Sequence, residues 1–100
     1  MLGWWIVIYP ETGTIPEHTL ASWESGLGGL DWLRPLLDSG HASQLQGNGY
    51  PNRYRLAAHA VLPLLQAGAP GKGPLSSYHP ERVAACQPEQ WLIVEAWDQS

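Results

Sequence analysis

The stretch LGWWIVIYP, residues 2–10, decides how the chain is read, because it is rich in aromatic and β-branched residues and closes on a Tyr-Pro pair. It predicts a β-strand. Leu2, Trp4, Ile6 and Ile8 fall on one face and Trp5, Val7 and Tyr9 on the other, so both faces are apolar and the strand is expected to be central or covered on both sides. WLIVEAW, residues 91–97, has the same character, with Leu92, Val94 and Ala96 alternating with Trp91, Ile93, Glu95 and Trp97. The two segments are expected to pair and hold both ends of the chain in one sheet.

Between these strands, PETGTIPEHTLASWESGLGG reads as a turn followed by a short helix from Pro16, with Glu17 in its first turn and glycines 26, 28 and 29 ending it. LDWLRPLLDSG predicts a second helix. Its Leu30, Leu33, Leu36 and Leu37 recur at helical spacing, Gly40 occupies the C′ position, and Pro35 is expected to kink it. RPLLDSGHA from Arg34 and LPLLQAGAP from Leu62 form a weak repeat of two short apolar helices stopped by glycine. HASQLQGNGYPNRYRLAA between them reads as a hairpin. Asn48-Gly49 supplies the turn signal, and Pro51 lengthens the loop because it cannot donate a ladder hydrogen bond. GAPGKGPLSSYHP reads as a loop and PERVAAC as one or two helical turns.

The expected order is therefore β, α, α, β, β, α, loop, short α, β. This is an α+β fold in a single domain, residues 1–100, with a mainly antiparallel sheet of about four strands and two or three short helices on one face.

Composition narrows the function classes. Residues 1–33 carry Glu11, Glu17, Glu24 and Asp31 without a Lys or Arg, and so hold the whole net charge of −4. Five basic residues balance five acidic ones in the remainder. That distribution disfavours nucleic acid, whose recognition runs on neutralising phosphates, and favours a basic protein surface. The single Cys86 excludes an internal disulfide and a cysteine-built metal site. The amino-terminal apolar run is too short for a membrane span and lacks signal-peptide features, so a soluble, cytoplasmic protein is expected.

Catalytic signatures are absent. His18, His41, His59 and His79 have no helical metal-site spacing, neither ESGLGG nor DSGHAS is a nucleophile elbow, and GLGG lacks the Lys of a P-loop. No cofactor, metal site or catalytic residue is assigned. Six tryptophans in 100 residues are more than a small core readily hides, and exposed Trp is enriched at binding hot spots. Tyr9, Tyr50 and Tyr78, each at or near a proline, are expected at strand ends, where they cap the core with their hydroxyls in water or, if those ends lie together, form an aromatic edge beside Arg53 and Arg55.

A short, acidic, tryptophan-rich chain of this kind resembles, in composition, small bacterial immunity proteins and phage-encoded inhibitors. The resemblance implies neutralisation of a larger, basic protein, such as a nuclease toxin, by occlusion. From the residues themselves, Glu17, Glu24 and Asp31 are the candidates for steering, Trp23 and Trp32 for apolar anchors, and Tyr50 and Arg53 for a secondary contact. Two alternatives stay open. One is a small hydrolase with a histidine cleft using His41 or His59; the other is an oligomeric accessory protein whose terminal strands join edge to edge through exposed Trp. The sequence leaves monomer or homodimer undetermined.

Overall fold

The two Trp-rich segments do pair, and they form the centre of the sheet. In the computed structural model, which describes residues 3–15, 17–26, 28–47, 50–68 and 74–99, β1 (Trp4–Pro10) lies antiparallel to β6 (Trp91–Asp98). Ile6 opposes Ala96 and Ile8 opposes Val94. β2 (Ala21–Ser25) and the two-residue β5 (Ser77–Tyr78) extend the sheet beyond β1, and the hairpin of β3 (Ala42–Gly47) and β4 (Asn52–Ala57) extends it beyond β6. The strand order is β3-β4-β6-β1-β2-β5, with every pair antiparallel.

Among the described residues three helices complete the α+β fold: α1 (Leu33–Asp38), α2 (Ala58–Gln66) and α3 (Pro80–Ala84). Their buried residues, Leu33, Val61, Leu65 and Val83, join one core with Ile6, Ile8, Trp23, Leu56, Leu92 and Val94. These strand residues all project from the same face of the sheet. All three helices therefore cover one face. Each fully buried Leu, Ile or Val contributes about 1.5–3 kcal/mol from removal of apolar surface from water.

Among the described residues six strands form where about four were expected, and the first difference lies at β2. The expected helix of residues 16–25 is a loop followed by this strand, in which Ala21 and Trp23 face the core while Ser22 and Glu24 face away. That is a period of two, fixed by pairing with β1, and it overrides the modest strand propensity of Ala, Ser and Glu. The second is β5, a two-residue pairing within the expected loop.

Pro35 stands in the first turn of α1, where a backbone N–H has no intrahelical partner, and therefore need not kink it. Gly40 and Gly68 follow α1 and α2 with φ of 81° and 118°, so both copies of the repeat stop at a glycine in a conformation other residues rarely adopt. The Asn48-Gly49 turn, Pro16 and residues 69–73 of the expected loop lie outside the described residues. Among the described residues no helix is long and apolar enough to cross a membrane.

Candidate functional site

Because all three helices lie on one side, the side chains that alternate away from the core stand on a sheet face that, among the described residues, has no helix over it. The registers arrange them in rows. Glu24, Trp5 and Trp97 lie side by side across β2, β1 and β6. The next row runs Ser77, Ser22, Val7, Glu95 and Arg53 from β5 to β4. Tyr9, Ile93, Arg55 and Ser43 form a third, and Trp91 stands beyond them opposite Ala57. Val7 and Ile93 are each only 6% exposed although no helix covers them, so the larger side chains in these rows shelter them.

Glu95 is the hub of this face. Its carboxylate is buried and accepts hydrogen bonds from the Tyr9 hydroxyl at 2.6 Å, from Arg53 Nε at 3.3 Å and from the Trp97 indole N–H at 3.3 Å. Arg53 Nη2 lies 3.2 Å from the same carboxylate. A buried carboxylate needs such donors to remain charged. Burial, then the hydrogen bond to Glu95 and its negative charge, push the Tyr9 hydroxyl up to about 12, with Arg53 acting in the opposite direction. Nearby, Arg55 pairs with Glu11 through both Nε and Nη2, and its guanidinium carbon lies 4.0 Å from the centre of the Trp91 ring. These contacts hold two arginines and two indoles in place, so less freedom is lost when a partner docks.

A cavity of about 220 Å³ opens where Trp5 meets β2 and β5. Trp5, Val7 and Ile15 supply its apolar walls, and Thr19, Ser22, Ser77 and His79 its polar ones. The Ser22 and Ser77 hydroxyls share one hydrogen bond of 2.7 Å. Thr19 is 7% exposed, and its hydroxyl oxygen is buried with no hydrogen-bond partner.

The residues singled out in the sequence scatter over this framework. Glu24 is exposed and Arg53 half-buried on the helix-free face. Glu17 lies in the loop before β2, where a backbone N–H and then the Thr14 hydroxyl hold its carboxyl below the usual range. Asp31 is exposed near α1, lining a different cavity with Arg34 and Asp38. Trp23 is fully buried in the core, which corrects its expected role as a surface anchor. Trp32 is partly buried against it, with ring centres 6.1 Å apart. Tyr50 is 64% exposed in the loop between β3 and β4. Tyr9 and Tyr78 do stand at strand ends, but Tyr9 faces the helix-free side and Tyr78 pairs with Ala21 on the core side, so they do not join in one aromatic edge. Trp5, Trp91, Trp97 and Glu95 were not among the expected partner contacts, and Arg55 was expected only beside the tyrosines. The signal for them was one charge, Glu95, on the same strand face as Trp91, Ile93 and Trp97 in WLIVEAW.

The groups with catalytic potential lie elsewhere. Cys86 lines a cavity of about 280 Å³ with His18, Glu17 and Arg82, but burial pushes its thiol up, away from the reactive thiolate. His41 and His59 meet edge to face with ring centres 5.1 Å apart, and the Ser39 hydroxyl lies 2.7 Å from His41 Nδ1. Neither histidine lines any of the three cavities described above. Comparison of the chain with known protein families, curated sequences and solved structures finds no match.

Proposed function

We propose that this chain is a small binding protein of the immunity or inhibitor type, which neutralises a larger protein by docking the helix-free face of its sheet over that protein's working surface. The observation that carries the reading is the row structure of that face. Trp, Tyr and Arg are the residue types that dominate binding energy at protein interfaces, and here Trp5, Tyr9, Trp91, Trp97, Arg53 and Arg55 share one surface. Glu95 and Glu11 fix both arginines before any partner arrives. The acidic residues Glu17, Glu24 and Asp31 steer a basic partner, with Glu24 alone of the three standing in the contact rows. A cytoplasmic location suits the free Cys86 thiol.

Capture of a protein from the source cells, followed by titration of the purified partner at two salt concentrations, tests this. Trp97→Ala and Arg53→Ala should each weaken binding about tenfold or more, and Glu24→Lys should slow association most at low salt. Unchanged affinity in both face variants sinks the proposal. The hydrolase alternative is supported by the contact of His41 with His59 and Ser39. Alanine replacement of all four histidines with full retention of the biological effect removes it.

A further inference from the structure

The cavity beside Trp5 has the chemistry of a receptor for one side chain. Each hydroxyl offers one hydrogen and two lone pairs. The Ser22–Ser77 contact uses one hydrogen and one lone pair, and Thr19 uses neither. His79 also lines the cavity, and an imidazole in its neutral form adds one N–H and one acceptor nitrogen, so acceptor sites still outnumber hydrogens and a ligand that only donates fits them best. A buried hydroxyl left without a partner is costly, and a ligand that reached it would remove that cost.

Charge selects among donors. Trp5, Val7, Ile15, Thr19 and Ser22 all belong to the part of the chain before Arg34, which carries Glu11, Glu17, Glu24 and Asp31 but no Lys or Arg. Glu24 follows Ser22 on the same face of β2 and lies opposite Trp5. Its carboxylate is exposed at that position. Arg82 donates to the Thr19 carbonyl at 2.9 Å, yet it lines the neighbouring cavity with Glu17 and Cys86. The apolar walls suit an alkyl stem, and an indole wall also attracts a cation.

We propose that this cavity receives a lysine side chain of the protein partner. The four methylenes lie along Trp5, Val7 and Ile15, the ammonium donates to the Thr19 and Ser22/Ser77 hydroxyls, and Glu24 balances its charge. This deepens the docking reading above and rests on it for the source of the lysine.

The test needs no partner. Isotope-labelled protein is titrated with N-acetyl-lysine methylamide and followed by nuclear magnetic resonance, with the norleucine and arginine amides as controls. The lysine probe should shift the Trp5 indole and the Thr19, Ser22 and Ser77 amides, saturating in roughly the millimolar range or above. Thr19→Val should weaken that binding about tenfold, and Glu24→Gln about threefold. Absence of a saturable shift overturns the proposal, as does an equal response to the norleucine probe or an arginine probe that binds as well as lysine. Unchanged lysine binding in both variants also overturns it. Failure of the docking reading would show separately, as unchanged partner affinity in Trp97→Ala and Arg53→Ala.

Discussion

Glu95 and Thr19 are both buried polar residues on the helix-free side of the sheet, and they are treated oppositely. The Glu95 carboxylate collects donors from Tyr9, Arg53 and Trp97. Burial disfavours the tyrosinate, and the hydrogen bond to Glu95 can be donated only while Tyr9 is protonated, so its ionisation is resisted in the folded state and its pKa rises from 10.0 to about 12. A raised folded pKa means the contribution is intact below the unfolded value and is lost as pH climbs from about 10 to about 12. Stability measured by urea unfolding should therefore fall through that window, and Tyr9→Phe should flatten part of the fall. Tyr54, also raised by burial, should sustain the remainder. A tyrosinate absorbance titration gives an independent check, since Tyr9→Phe should remove a group ionising near pH 12. Thr19 presents the other case, a buried hydroxyl with no partner. Thr19→Val keeps the shape and removes the desolvated oxygen, so it should raise stability by about 1 kcal/mol in the same unfolding measurement. A residue that lowers stability where it stands and is expected to bind a ligand there is the usual form of a stability-for-function trade.

At the scale of elements, what the sequence made legible depended on whether residue type and tertiary pairing agreed. β1 and β6 could be read because Trp, Ile and Val favour strands and the middle residues of both strands are buried whichever face they take. β2 could not, because its alternation is carried by Ala, Ser, Trp and Glu, and only the pairing of Trp23 with Ile6 and of Ser22 with Val7 makes a strand of it. The helix-free face was hidden for the same reason. Trp5 and Trp97 are distant in sequence and become neighbours only through the β1–β6 register. The repeat shows how local context decides the effect of one residue. Pro35 lies in the first turn of α1, whereas Pro63 lies inside α2, where it leaves the His59 carbonyl without its N–H partner four residues on. Pro63 is exposed, so packing does not require it. Pro63→Ala should restore that bond and raise stability by about 1–3 kcal/mol, read as a higher urea midpoint with an unchanged slope.

For the whole molecule, the central issue is which of the sheet's surfaces is free to meet a partner. The terminal strands are the innermost pair, so the alternative in which two sheets join edge to edge through them has no edge to use; the edges belong to β3 and β5. The tryptophans divide accordingly. Trp23 and, less completely, Trp4 and Trp32 are committed to the core beneath the helices, while Trp5, Trp91 and Trp97 stand on the opposite side. This division predicts two separable mutational phenotypes. Trp23→Ala removes the largest fully buried side chain and should cost about 3–5 kcal/mol. That is a large part of the roughly 5–15 kcal/mol that holds a small domain together, so this variant should lose cooperative unfolding or much of its expressed yield. Trp97 is 38% exposed, and its indole N–H is one of several donors to Glu95. Trp97→Ala should therefore cost about 1 kcal/mol or less in stability while weakening capture of the partner by about 2 kcal/mol. Unfolding curves and titrations on the same two preparations separate the outcomes. If Trp97→Ala unfolded as readily as Trp23→Ala, the face would be a second core, and no surface of the sheet would be left for a partner.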